Sequence, residues 1–176
     1  MQLSEPTVSP CGIEYSVHAC PKTHEREFAA VFSGVQTDGL LIIPTCQRAG
    51  LDLVQTGEQI EDEKDRLLER FMTFAKAICD MLLSQGHWAD YIDPCSGLPM
   101  IHRSGMTTYS EVDALATLLG YKTQNAGCCK ILLHPQWGSA VYPASIFAKA
   151  PLREVQAAIQ AAEPQALAAW TLGKHL

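Results

Sequence analysis

The sequence predicts an α+β fold in which a mixed or antiparallel sheet packs against helices. Three observations carry this. Short apolar or alternating runs at Ile13 to Ala19, Leu40 to Thr45, Trp88 to Ile92 and Cys128 to His134 read as strands and are interleaved with helical periods. One long amphipathic stripe, Leu67, Phe71, Phe74, Ile78 and Leu82, recurs at steps of three and four between Glu61 and Gln85. The turn His134-Pro135-Gln136-Trp137-Gly138 lies between two strand-like runs and predicts a hairpin, which favours antiparallel pairing over a doubly wound parallel sheet.

Taken in order, residues 1–11 contain two prolines and no periodicity, so they read as a flexible tail. Ile13 to Ala19 alternates in strand fashion, and Pro21 opens a short helix through Phe32, with Phe28, Val31 and Phe32 inward and Gly34 as its stop. Leu40 to Thr45 suits a buried strand whose end is bent or at an edge, because Pro44 cannot donate to a ladder. Residues 46–60 read as a loop or weak edge strand. The long helix begins with Glu61, Asp62, Glu63 and Asp65, which complement the positive end of its dipole, and Gly86 ends it. Trp88 to Ile92 is a strand, Asp93-Pro94-Cys95-Ser96-Gly97 a tight turn, and Leu98 to Ile101 the returning arm. Thr107 to Leu119 is helical, with Ser110 as N-cap and Asp113 completing a capping-box pattern. A polar loop, Thr123 to Gly127, precedes the Cys128 strand, whose predicted partner is Ser139 to Phe147, bulged or at an edge because of Pro143. Leu152 to Ala162 and Gln165 to Leu172 are Ala-rich helical segments broken at Pro164. This organisation divides the chain into a tail (1–11), an α+β domain (12–150) and a helical extension (151–176).

With 176 residues, 47% hydrophobic content and 18% charged residues, the chain can bury one real core. A formal net charge of −6 without a basic stripe argues against a nucleic-acid partner. No apolar stretch approaches the ~20 residues of a membrane span, and the first 25 residues lack a signal core or transit-peptide character, so a soluble, cytoplasmic protein is expected. Seven cysteines without framework spacing also fit a reducing compartment. Phosphate-loop, dinucleotide and nucleophile-elbow motifs are absent, and no C-x-x-C or H-x-x-x-H pair begins a zinc site; Cys11, His18 and Cys20 are more simply read as core or surface groups.

The chemistry concentrates in Gly127-Cys128-Cys129-Lys130, ahead of Ile131-Leu132-Leu133-His134. A strand alternates its side chains, so Cys129, Ile131 and Leu133 share one face and Cys128, Lys130, Leu132 and His134 the other. Cys129 is expected inside and Cys128 is the candidate working thiol, with Lys130 roughly 7 Å away favouring the thiolate. Against this stands the simpler reading of both cysteines as small core hydrophobes. His134 could tune the thiol or serve as a hydrogen-bonded turn histidine, and Trp137 is read as packing.

A wider set of residues resembles a known family: Trp88-Ala89-Asp90-Tyr91-Ile92-Asp93-Pro94-Cys95-Ser96-Gly97, Leu119-Gly120-Tyr121, Gly127-Cys128-Cys129-Lys130, His134, Trp137-Gly138 and Ser145-Ile146-Phe147. Over about Glu14 to Ala150 the chain is similar to the methylmalonic aciduria and homocystinuria type D (CblD) family. The resemblance implies a nitroreductase-like α+β fold that has lost flavin binding, with no FMN and no enzymatic activity of its own. It implies a cobalamin-trafficking adaptor that docks on a CblC-type cobalamin-processing protein and directs the cofactor to methionine synthase or methylmalonyl-CoA mutase. Cys128 would be the thiolate ligand of cobalt, in a cobalamin shared with the partner, supported by Gly127, Cys129, Lys130 and His134. A monomer is expected for the chain alone, and some family members are mitochondrial. The alternative is a small oxidoreductase, flavin-dependent or using Cys128 with Cys129; the scattered Arg48, Arg66, Arg70 and Arg103 offer no flavin-phosphate cluster.

Overall fold

The two most apolar strand runs become the centre of one antiparallel sheet. β1 (Thr7–Val8), β2 (Ile13–Tyr15), β3 (His18–Ala19), β4 (Leu41–Arg48), β5 (Trp88–Tyr91) and β8 (Val141–Lys149) associate in the order β1-β2-β4-β8-β5, with β3 pairing β4 beyond the end of β2. The structure is a computed structural model and describes residues 1–103, 105–127 and 129–172. Its helices are α1 (Glu25–Val31), preceded by a 3₁₀ turn at Lys22–His24, then α2 (Glu58–Ser84), α3 (Glu111–Leu119) and α4 (Leu152–Leu172). A separate two-stranded hairpin joins β6 (Lys122–Ala126) to β7 (Cys129–Leu133). The expected α+β class with an antiparallel sheet is therefore the observed one.

β4 is central, which explains its unbroken apolar run: both faces of the sheet are covered. Leu41 and Ile43, with Ala144, Ile146 and Ala148 of β8, pack under α2 and α4. Ile42 and Phe147 face the other way, into a cluster with Phe28, Val31 and Phe32 near α1 and with Tyr109 and Ala114. Pro44 was expected to put the strand end at an edge, yet it costs no ladder bond in the middle of the sheet. Its carbonyl accepts from Ser16, so the side on which its N–H is missing faces the gap between β2 and β3. Pro143 is accommodated similarly, since the β5 pairing of β8 begins only at Ile146.

Four expectations are corrected. Residues 1–11 are not a loose tail: β1 pairs with β2, Leu3 donates to the Val17 carbonyl and the Ser4 hydroxyl accepts from Val17. That engagement also splits Ile13 to Ala19 into two short strands. Residues 46–48, expected in a loop or a weak edge strand, continue the central strand β4. Pro164 does not break the C-terminal helix, because Ala162 and Ala166 on either side of it are both buried in the cluster with α2, and packing holds the two halves in line. The fourth concerns β7, which pairs with the preceding β6, read as polar loop, and not with Ser139 to Phe147. The His134 to Gly138 turn closes only an isolated bridge, and β8 is occupied on both sides by β4 and β5.

A cysteine hairpin as the candidate functional site

The register of β6 on β7 runs from Lys122↔Leu133 to Ala126↔Cys129, which puts Gly127 just past the end of β6. Gly127 has φ +61°, the left-handed conformation that the first loop position of a tight hairpin demands and that glycine adopts without strain. Cys128 itself lies outside the described residues. Cys129, expected inside, is exposed. The face assignment is thus reversed over the described part of the strand: Leu132 and His134 are buried, while Ile131 and Leu133 are only partly covered. The physical reason is the change of partner. Paired with β6, the hairpin lies on α3 and the end of the sheet, and Leu132 fills a cluster with Leu115, Val141 and Cys46.

Three attachments hold the hairpin. Lys130 Nζ reaches Asp113 Oδ1 at 2.5 Å in the first turn of α3. The Ser110 hydroxyl, the N-cap of that helix, bonds the Asp113 N–H at 3.3 Å and its carboxylate at 2.9 Å, so the predicted capping arrangement is present. Hydrogen bonds from Lys130 and Ser110 hold the Asp113 carboxyl below the usual carboxylate range. Lys130, the residue expected to acidify the thiol, is therefore committed to a carboxylate. At the base of the hairpin, His134 Nδ1 accepts from the N–H groups of Gln136 and Trp137. The neutral ring consequently carries its proton on Nε2, which donates to Glu14 Oε1 at 3.1 Å. The Tyr121 hydroxyl donates to the same oxygen at 3.1 Å, and the Trp137 ring stacks on His134 with centroids 3.8 Å apart. His134 lies five residues from Cys129 along the strand, roughly 17 Å at about 3.4 Å per residue. Its bonds are those of a turn histidine.

Cys20, Cys46, Cys79 and Cys95 are poor thiolate donors. Burial pushes the Cys20 thiol up to about 11, and burial raises Cys46 and Cys79 as well. Cys95, although exposed, is raised by desolvation and by Asp93 beside it. Among the described residues no three His, Cys, Asp or Glu side chains converge on a metal-binding point, and no helix is long and apolar enough to cross a membrane.

Sequence reasoning missed two buried carboxyls. Asp90, fully buried, accepts from the N–H groups of Tyr91, Met100, Ile101 and His102 and from His102 Nδ1 at 2.7–3.2 Å, which fixes the arm after β5. Glu111, in the first turn of α3, is 8% exposed and meets the Ser145 hydroxyl of β8 at 2.5 Å. The signal for Asp90 was a carboxylate inside an apolar strand run. Glu111 gave no signal, because a first-turn acid is ordinarily a solvated dipole partner.

The fold and site define an antiparallel α+β domain with a separate two-stranded hairpin whose Cys129 is exposed. Comparison with known proteins identifies which one. The chain belongs to the methylmalonic aciduria and homocystinuria type D protein family, whose model matches residues 2–160. The match takes in β1 and the first half of α4, beyond the limits expected from motifs alone. The chain is 36% identical over 138 residues to the cobalamin trafficking protein CblD of Gallus gallus, and equally to those of Rattus norvegicus and Homo sapiens. The aligned region is 78% of this chain and 47% of each relative, so the chain spans about half the length of the curated relatives it matches.

Proposed function

We propose that this chain is a cobalamin-trafficking adaptor without catalytic activity of its own, which docks on a CblC-type cobalamin-processing protein and offers the Cys128 thiolate to cobalt. Its cargo would then pass to methionine synthase or methylmalonyl-CoA mutase. The observation that carries this reading is the β6–β7 hairpin: in a chain of this family, Cys129, the first residue of β7, pairs with Ala126 at the end of β6 and is exposed.

The chemistry follows from the mooring. Thiolate is a soft ligand, and a metal that coordinates a thiol displaces its proton outright, so no neighbouring cation is required. Lys130 is accordingly assigned to holding the hairpin through Asp113, with Gly127 shaping the turn and His134 fixing the base.

The test is the visible spectrum of a CblC-type partner loaded with cobalamin, mixed with this protein, reduced to cob(II)alamin and gently reoxidised. A thiolate-ligated cobalamin spectrum is expected with wild type and not with Cys128→Ser. Identical spectra would remove the role given to Cys128, and a flavin chromophore bound to the purified protein would replace the adaptor with the reductase reading.

A further inference from the structure

Glu111 lies where a carboxylate is least at home. Its Oε2 meets the Ser145 hydroxyl, while Oε1 is buried without a hydrogen-bond partner. The groups facing it are Ser145 and Tyr142 of β8, Cys46 of β4 and Tyr109 just before α3. None of these is a cation, and among the described residues no Lys, Arg or His comes within ion-pair distance of Glu111. The neighbouring cation, Lys130, is held by Asp113. An ionised Glu111 would therefore be a buried charge without compensation, and would be relieved by lifting the first turn of α3 off β8.

That turn also holds the hairpin. Asp113, two residues on, supplies the carboxylate that binds Lys130, and Leu115, one turn further, packs on Leu132. Seating α3 on the sheet and mooring the cysteine hairpin are thus done by the same turn of helix. We propose that Glu111 and Asp113 are positioning residues for the cysteine hairpin: protonated Glu111 seats α3 on β8, Asp113 then grips Lys130, and loss of the Glu111 proton loosens the hairpin. Burial pushes the Glu111 carboxyl up to about 8, which places the change in the mildly alkaline range. The proposal rests on the adaptor reading only for its use: a loosened hairpin can enter a partner, and a seated one is withheld.

The experiment needs neither cobalamin nor partner, so its failure and that of the adaptor reading are separate. Amide exchange is followed between pH 6.5 and 9.5 in the purified protein, with each rate divided by that of an unstructured chain at the same pH. In wild type, protection of the β6 and β7 amides should fall about tenfold or more through pH 8 while β4 and β8 stay protected. Glu111→Gln should keep the hairpin protected throughout, and Asp113→Asn should leave it poorly protected at every pH. The carboxyl ¹³C shift of Glu111, read in wild type without any substitution, should change with the same midpoint. A Glu111 that titrates in the ordinary carboxylate range, or the same pH profile in wild type and Glu111→Gln, overturns the proposal. So does full protection of the hairpin in Asp113→Asn.

Discussion

Each decisive side chain here owes its behaviour to what lies within hydrogen-bond distance of it. Lys130 and Asp113 form a mutual pair, His134 is held on three sides, and Glu111 has one hydroxyl and no cation. The pH dependence of stability follows from Glu111. Its carboxyl binds a proton more tightly in the folded chain, at about 8, than an unfolded glutamate does near 4.3, so its contribution is complete below the unfolded value and is lost as pH rises through the folded one. Between these limits the slope is on the order of −1.4 kcal/mol per pH unit. Urea unfolding at pH 5, 7 and 9 should show that decline in wild type and a flatter profile in Glu111→Gln; parallel profiles would contradict it. Ser110 and Asp113 could be read from their spacing alone, because a helix cap is local. The partners of Glu111 and Lys130 are 34 and 17 residues away in the chain, and no local pattern reports them.

At the scale of elements, the periodic segments were legible and their partners were not. The apolar stripe predicted α2 to within a few residues, since a 3.6-residue period has one structural solution. β6, Lys-Thr-Gln-Asn-Ala, has no buried residue and so lacks apolar alternation, and it therefore read as loop. That single misassignment exchanged the partner of β7 and placed Cys129 inside. α4 fails in the opposite way: Pro164 should end a helix in isolation, and burial of Ala162 and Ala166 against α2 overrides it. Pro164→Ala should accordingly stabilise the protein, by up to about 3 kcal/mol if the proline carries its full helix-interior cost. Thermal unfolding of the two proteins measures this, and an unchanged or lower Tm would mean that the proline is already relieved by local geometry.

For the whole molecule, the sheet divides the core into two packed faces, with α2 and α4 on one and α1 and α3 on the other. α4 supplies Val155, Ala158, Ile159, Ala162 and Ala166 to the larger face, so it acts as part of the core rather than as an extension. Removing residues 151–176 should expose the apolar stripe of α2 and abolish cooperative unfolding, visible as a broadened thermal transition with dye binding. A truncated chain that melts sharply near the wild-type Tm would return α4 to the status of an appendage. The sequence by itself determined the α+β class, the long helix and the capped α3, because period, capping and turn chemistry act over a few residues. Only the tertiary structure decided which strand pairs with β7, which face of the cysteine strand is buried, and that Glu111 in the first turn of α3 lies uncompensated against β8, because pairing and desolvation depend on groups far away in the chain.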